Sequence, residues 1–283
     1  MMSSLQIYFG DNLPILKELP ADSIDLIYID PPFNTGKVQR RTSLATVRDK
    51  DGDRTGFKGK RYRTVKLGSR EYSDIFDDYL VFLEPRLEEA RRILKDSGSL
   101  FFHIDYREVH YVKVLLDMIF GRDSFINEII WAYDYGARSK SRWPAKHDNI
   151  LWYARNPKNY QFDLEECDRI PYMAPGLVGA EKAARGKTPT DTWWHTIVSP
   201  NGREKTGYPT QKPRGVLDRI VKVHSHPDNL LLDFFAGSGS FGEAAVALDR
   251  NCILIDNNEE AMRVMEKRFA GMEPEWVNWK PQQ

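Results

Sequence analysis

The chain has 283 residues, 41% of them hydrophobic, which is enough to bury the core of one α/β domain. Its formal net charge is zero, and two cysteines, Cys167 and Cys252, are too few for a disulfide scaffold or a zinc site of four cysteines. The histidines lack ligand spacing and there is neither a long apolar run nor a secretory signal, so we expect no metal, no membrane segment and a cytoplasmic location.

The first structural signal is a short apolar run rich in β-branched residues, from Ile24 to Ile29, which ends at Asp30-Pro31-Pro32. Such a run predicts a buried strand of a parallel sheet, and the two prolines prevent the strand from continuing. Asp30 is therefore expected at the carboxyl end of a strand, which is the edge where open α/β sheets bind ligands.

From Thr35 to Arg70 we find neither helical nor strand periodicity, and basic residues outnumber acidic ones. The pattern predicts a long mobile loop, with residues 38–70 as a basic insert. A charge run is often only a solvated surface, but this one directly follows Asp30-Pro31-Pro32-Phe33.

The next segment alternates between helical and strand patterns. Apolar residues from Asp74 to Leu94 recur at helical spacing, and Pro85 is expected to begin a second helix there. The following predictions are a strand at 99–104, a helix at 106–119, and strands at 125–132 and 147–153. This alternation predicts a doubly wound sheet.

The regular pattern fails from Arg155 to Lys205, and residues 156–204 are the candidate target-recognition segment within a single catalytic domain spanning 1–283. Trp193 and Trp194 in this segment either pack or contact a partner, and the sequence favours neither. Beyond it we predict a helix at 215–224, a strand at 229–233, a helix reaching 247, a strand at 252–255 and a helix at 259–269.

A glycine-rich turn, Asp233 to Gly239 (DFFAGSG), follows the strand at 229–233. Glycines there allow a tight turn and let a ligand approach the N–H groups of a helix N-terminus. Asp256 follows about 20 residues later at the end of the next strand, where a carboxylate can accept both ribose hydroxyls. The ligand is therefore expected to contain adenosine. The spacing disfavours NAD and FAD without excluding them.

Asp30-Pro31-Pro32-Phe33 fits a second chemical task. An exocyclic amino nitrogen is a poor nucleophile because its lone pair is delocalised into the ring. The carboxylate of Asp30 and the carbonyl of Pro31 can each accept one N–H, Pro32 helps to fix the turn, and Phe33 can stack on a flipped base. Alone, Asp-Pro-Pro would be read as a turn. At a strand end with an aromatic next, we interpret it as the catalytic tetrapeptide.

With both constellations the chain resembles the bacterial β-class DNA amino-methyltransferases, in which the catalytic motif precedes the cofactor motif in a circularly permuted order. The resemblance covers nearly all of the chain outside 38–70 and 156–204. The matching stretches are GDNL from Gly10, IYIDPPFNTGK from Ile27, 79–92, LFFHID from Leu100, LDMIFG from Leu116, 147–153, YPTQKP from Tyr208 and DFFAGSGS from Asp233. It implies a Rossmann-like, mostly parallel fold and S-adenosylmethionine (SAM) as cofactor.

The resemblance also implies a cofactor site, in which Asp11 contacts the adenine and Thr210 and Lys212 approach the methionine carboxylate. The other implied cofactor residues are Asp233, Phe235, Gly237, Gly239, Ser240, Asp256 and Asn257. The family usually has Pro and Thr where this chain has Phe234 and Ser240, and the serine retains the hydroxyl.

Double-stranded DNA is the implied substrate, and the candidate DNA-binding residues are Lys37, Arg40, Arg41, Arg138, Lys140, Arg142 and Lys146. A homodimer and a cognate restriction endonuclease are further implied partners. Asp at position 30 is typical of N6-adenine enzymes and Ser of N4-cytosine enzymes, so adenine is favoured and cytosine stays open. A non-catalytic DNA-binding subunit is disfavoured by the intact motifs. Asn at this position is typical of enzymes that methylate RNA or a protein glutamine, so Asp30 disfavours those substrates.

Overall fold

The computed structural model describes residues 3–32, 78–136, 138–198, 204, 206–208 and 211–281, together with the backbone of three strands at 37–48, 54–55 and 61–74. The chain divides into two compact units. One comprises Met1–Pro31 and Leu80–Gln283, and the other is Pro32–Tyr79. No helix among the described residues is long and apolar enough to span a bilayer.

In its described part, the larger unit contains a nine-stranded sheet with the order β12-β1-β11-β10-β2-β6-β8-β7-β9. Its strands are β1 Leu5–Phe9, β2 Ile24–Ile29, β6 Leu94–Ile104, β7 Phe125–Ala132, β8 His147–Ala154, β9 Thr192–Trp194, β10 Leu230–Asp233, β11 Asn251–Asp256 and β12 Glu275–Val277. Only β8 pairs antiparallel with its neighbours in this sheet. The other strands therefore end at one common edge.

The helices are α1 Asn12–Glu18, α2 Tyr79–Ile93, α3 Val109–Phe120, α4 Ala180–Arg185, α5 Arg214–His224, α6 Ser240–Ala247 and α7 Glu259–Arg268, with short 3-10 turns at Arg122–Ser124 and Pro175–Leu177. Leu26 and Tyr28 of β2 belong to a core cluster with apolar residues of α5, α6 and α7. Because successive strand residues point to opposite faces, Ile27 and Ile29, also fully buried, are covered from the other side. This confirms the predicted doubly wound, mostly parallel α/β sheet.

The two motif-bearing strands lie side by side. Leu231 of β10 pairs with Leu26 of β2, although the glycine turn after β10 and Asp30-Pro31-Pro32 after β2 stand far apart in the chain. From β2 the chain crosses through α2 to β6 on one side, and from β10 it crosses through α6 to β11 on the other. Neighbouring strands whose connections diverge form a topological switch point, where open α/β sheets bind their ligands.

The smaller unit corrects one prediction. Where the sequence predicted a loop, β3 Lys37–Arg48 pairs antiparallel with β5 Arg61–Asp74, and β4 Arg54–Thr55 pairs with β5. A pattern search misses these strands because their polar and charged residues leave no alternation of apolar side chains. Backbone pairing alone defines them.

A second correction concerns α2. The sequence predicted a new helix at Pro85, but this proline lies inside one continuous helix. Leu83 and Leu87, on either side, are fully buried, so packing retains the helix despite the lost N–H. The guanidinium of Arg86 also donates to the Phe82 carbonyl at 2.8 Å. The strands β1, β9 and β12 and the helix α1 were not predicted.

Candidate active site

The site edge of the sheet carries acidic residues on neighbouring strands. Asp256 ends β11, Asp233 ends β10, and Asp30 follows β2 directly, so three adjacent strands deliver carboxylates to one edge. Burial, together with the negative charges of Asp30 and Asp256, raises the pKa of Asp233 well above its usual value. Neighbouring carboxylates lower the stability of the folded state, and such clusters are typical of functional sites.

The glycine turn after β10 is shaped by close contacts. Gly237 has a φ of 51° and Gly239 a φ of 74°, both in the left-handed region. A Cβ at Gly237 would stand 3.1 Å from the ring of Tyr208, and one at Gly239 would stand 2.9 Å from Met265. Both positions therefore need glycine, because the backbone is left-handed and neighbouring side chains leave no room for a Cβ.

Side chains around the turn hold it in place. Asp233 accepts the N–H of Phe235 at 2.9 Å, and the hydroxyls of Ser238 and Ser240 are 2.9 Å apart and buried. Ser240 is the first residue of α6. Its hydroxyl is therefore engaged within the turn, and the described geometry places it against Ser238.

Asp256 is the best-oriented candidate for ribose recognition. One carboxylate oxygen accepts the N–H of Gly237 at 2.7 Å and the other that of Asn258 at 2.8 Å. Burial raises the pKa of Asp256, and these backbone bonds oppose the rise. Each oxygen keeps acceptor capacity for a hydroxyl. Asn257 is exposed and touches this carboxylate through its backbone.

Asp11 and its surroundings lie at the end of β1, next to β11. Asp11 caps α1 by accepting the N–H of Leu13 at 2.9 Å, and it pairs with Arg86 at 2.9 Å. Arg86 is almost buried and also donates to Asn12, whose amide donates to the carbonyl of Phe234. Sequence reasoning missed Arg86, although the matching stretch 79–92 contains it. Arg86 thus links α2, through Asn12, to the backbone of the glycine turn.

Asp30 stands where it was predicted, directly after β2. Its Oδ2 accepts from Lys212 Nζ, and its Oδ1 is buried without a hydrogen-bond partner among the described residues. A buried carboxylate oxygen that lacks a donor is costly unless something else supplies one. Lys212 therefore contacts Asp30, and its approach to the methionine carboxylate stays a prediction. Pro31 is buried at the start of the tetrapeptide.

A buried polar network adjoins Asp30, and sequence reasoning missed it. His103 of β6 lies between Tyr28 of β2 and Asp148 of β8, and Tyr133 donates to Asp148 at 3.1 Å. His103 was quoted only within LFFHID, and no local signal connects it with Asp148. Their proximity follows from the antiparallel pairing of β6 with β8.

The basic loop, residues 133–146 between β7 and β8, lies at the same edge because β7 runs parallel to β2. Arg138, Lys140 and Arg142 are exposed, and Lys146 is half-buried. Lys146 donates to the Tyr135 carbonyl, and Arg138 pairs with Asp134 at 2.8 Å. These four predicted DNA-binding residues therefore share one loop at the site edge.

The candidate recognition segment is largely irregular, with α4 and β9 as its regular elements among the described residues. Trp193 is 7% exposed and belongs to the core cluster, whereas Trp194 is 76% exposed. The two tryptophans, which the sequence could not separate, thus have different surroundings. Trp193 packs.

Several predicted residues cannot be placed. Phe33 and Thr210 lie outside the described residues. Only the backbone is described for Lys37, Arg40 and Arg41. These three residues and Pro32, which is described and half-buried, belong to the smaller unit. Among the described residues, no cluster of His, Cys, Asp and Glu could hold a metal ion.

A glycine turn without room for side chains, an oriented carboxylate at the end of the next strand and a switch point together define a nucleoside-binding α/β enzyme. The comparisons identify its family. The model of the family described as DNA methylase matches residues 24–267, and the chain belongs to that family. It is a SAM-dependent DNA amino-methyltransferase whose acceptor is N6 of adenine or N4 of cytosine.

Adenine-specific and cytosine-specific enzymes both occur among the proteins that this chain resembles. The Type II methyltransferase M.HpaI of Haemophilus parainfluenzae is 28% identical over 90% of this chain and 70% of its own length. The DNA adenine methyltransferase YhdJ of Escherichia coli K12 is 28% identical over 93% of this chain and 82% of its own. The solved structure of the cytosine-N4-specific PvuII DNA methyltransferase has a TM-score of 0.64 at 16% identity, covering 96% of this chain and 89% of that one. That likeness supports the fold.

Proposed function

We propose that this enzyme methylates N6 of adenine in double-stranded DNA, with Asp30 and the Pro31 carbonyl as acceptors for the amino group. The observation that carries the proposal is the buried Asp30 Oδ1, which has no donor among the described residues. An amino N–H of a flipped base would supply that donor. Asp at this position, typical of N6-adenine enzymes by family resemblance, favours adenine over cytosine.

The chemistry requires the amino lone pair to leave conjugation. Two acceptors, one to each N–H, orient the nitrogen so that its lone pair points out of the ring plane. SAM supplies the electrophilic methyl group. Asp256 would hold the ribose hydroxyls, Asp11 would contact the adenine of SAM, and the backbone around Gly237 would face the ligand. Phe33 would stack on the flipped base.

Two reciprocal variants test these roles. Asp30→Ala should abolish methyl transfer and leave SAM affinity within about twofold, because Asp30 contacts the acceptor. Asp256→Ala should weaken SAM binding by about a hundredfold, since two hydrogen bonds to a charged acceptor are lost. Calorimetry with SAM and transfer of tritiated methyl to plasmid DNA measure the two effects. Loss of SAM binding in Asp30→Ala would contradict the assignment.

Nucleoside mass spectrometry of DNA modified by the enzyme identifies the acceptor. N6-methyladenine is the expected product, and N4-methylcytosine as the sole product would overturn the preference for adenine. Modification-sensitive sequencing of DNA from an expressing host returns the base and its sequence context together. We propose residues 156–204 as the segment that selects this context.

DNA contact is proposed for the basic loop and the basic strands of the smaller unit, with base flipping as the route to the site. Their lysines and arginines would neutralise phosphates near the extruded base. A bacterial cytoplasmic location follows from chromosomal DNA as substrate. The Type II relative M.HpaI supports a restriction-modification context, and we propose a cognate endonuclease that cleaves the same site when it is unmodified.

A homodimer is proposed from an exposed apolar row on α3. Tyr111, Val114 and Met118 are 63%, 58% and 75% exposed, and their spacing places them along one helix face. Met118→Glu should convert a dimer into a monomer in size-exclusion chromatography with light scattering. A wild-type monomer would contradict the proposal.

A further inference from the structure

A buried histidine lies beside Asp30 and serves neither the cofactor turn nor the DNA surface. His103 is fully buried, its Nδ1 stands 2.7 Å from the Tyr28 hydroxyl, and its Nε2 stands 3.2 Å from Asp148 Oδ2. An ionised carboxylate can only accept, so Nε2 carries the hydrogen and donates it to Asp148. Nδ1 is then the basic nitrogen, and it accepts from Tyr28.

Asp148 is suited to stay ionised in this position. Burial works against its charge, but the hydrogen bond from His103, the charge of Lys212 and the bond from Tyr133 lower the pKa of Asp148 below its ordinary value. A carboxylate held in this way fixes the tautomer of the imidazole and stabilises the imidazolium, as in other His-Asp pairs.

The basic nitrogen of His103 faces the proposed acceptor of the reaction. Its Nδ1 lies 3.9 Å from Asp30 Oδ1, the buried oxygen without a donor. A shift of about 1 Å would bring the two atoms to hydrogen-bond distance. His103 therefore stands between two carboxylates, Asp30 on one side and Asp148 on the other.

Methyl transfer releases a proton that must go somewhere. The amino lone pair forms the new N–C bond, the C–S bond breaks with its electron pair moving to sulfur, and the nitrogen is left with a positive charge. One N–H proton then leaves the nitrogen, and in the proposed complex it passes to Asp30 Oδ1, the carboxylate oxygen that accepts this N–H. Once protonated, Asp30 no longer balances the charge of Lys212, and it must lose the proton before the next turnover.

We propose that His103 and Asp148 form a proton-accepting pair that takes this proton from Asp30 at His103 Nδ1. The resulting imidazolium lies between two carboxylates, and the Tyr28 hydroxyl turns from donor to acceptor. His103 acts through Asp30, from which it receives the proton. The inference rests on the role of Asp30 proposed above.

The pH dependence of this step involves every charged or titratable group that faces the pair. These groups are Tyr28 and Asp30 from the β2 end, Asp148 from β8, Tyr133 after β7, Asp105 after β6, Asp233 from β10 and Lys212. Because these groups lie close together, the quantity to measure is the acid limb of the rate profile as a whole.

Asp148→Asn tests the pair. With SAM prebound, single-turnover methyl transfer to unmethylated plasmid DNA should slow by about tenfold to a hundredfold at neutral pH. The acid limb should move to lower pH by about one unit, because an imidazolium without its carboxylate forms less readily. SAM affinity should stay unchanged. Tyr133→Phe is the matched control, since it removes one bond to Asp148 but keeps the carboxylate, and its acid limb should move less than that of Asp148→Asn.

A purely structural role predicts another result. Asp148→Asn would then lower the rate by the same factor at every pH, or leave it unchanged, and an unmoved acid limb overturns the pair. If the acid limb does not move and Asp30→Ala is inactive in the same assay, the pair is refuted but the role of Asp30 stands. If Asp30→Ala keeps full methyl transfer, the role of Asp30 itself fails.

Nitrogen-15 NMR of the wild-type protein tests the pair without any variant at Asp148. The chain has six histidines, and His103→Asn assigns the signal. The proposal requires a neutral ring protonated at Nε2 in the pH range of activity. A neutral ring protonated at Nδ1, or a ring charged throughout that range, overturns it.

Discussion

Gly239→Ala perturbs the cofactor turn at its tightest point. Gly239 has a φ of 74°, and an added Cβ would meet Met265 and Phe269 at 2.9 Å each. The left-handed backbone costs a non-glycine residue about 1–2 kcal/mol. Forcing a methyl group against two side chains of a packed core adds about 1–3 kcal/mol. The variant should therefore lose about 2–5 kcal/mol of unfolding free energy.

Gly271→Ala separates the two contributions. Gly271 has a φ of 86°, and nothing lies within 4 Å of its added Cβ, so only the backbone cost applies. Alanine restricts both unfolded chains alike, so that effect cancels between the variants. The difference of about 1–3 kcal/mol between them measures the packing contact alone.

Urea denaturation followed by tryptophan fluorescence gives the free energies, and calorimetry with SAM gives the affinity. Gly239→Ala should also weaken SAM binding, since the turn must shift to relieve the contact, while Gly271→Ala should not. Equal destabilisation by the two substitutions would refute the reasoning, because it would mean that the turn has room for a side chain.

Three further outcomes are expected. Burial lowers the pKa of His224 to about 4, so between pH 6.5 and 4 this side chain binds a proton in the unfolded chain but not in the native one. Its contribution to stability should fall by about 3 kcal/mol across that range, measured in urea denaturation as the difference between the wild type and His224→Gln. A difference that does not change with pH contradicts this. Trp193→Ala should cost about 3–5 kcal/mol and Trp194→Ala about 0.5 kcal/mol or less, and equal thermal shifts would contradict the burial difference. The double variant Lys140→Ala, Arg142→Ala should weaken DNA binding and reduce the salt slope by about 1–2, and an unchanged slope in fluorescence anisotropy would exclude the loop from phosphate contact.

Local chemistry made much of the fold predictable. The strand 125–132 has the predicted bounds, and Asp30 follows its strand as expected, because a buried apolar run that ends in prolines leaves few alternatives. The alternation of apolar and polar side chains did not predict strands where neither face of the strand is apolar. The strands from Lys37 to Asp74 carry no apolar alternation, and only their pairing with each other defines them.

The sequence by itself determined the chemical parts: an acid before two prolines at a strand end, a glycine turn, and a second acid one strand later. Each depends on a few neighbouring residues, so each can be read from the chain. Only the tertiary structure decided which parts meet. Pairing of β2 with β10 sets Asp30 beside Asp233, and pairing of β6 with β8 sets His103 beside Asp148. Strand register between distant segments depends on packing of the whole sheet, which no local pattern encodes.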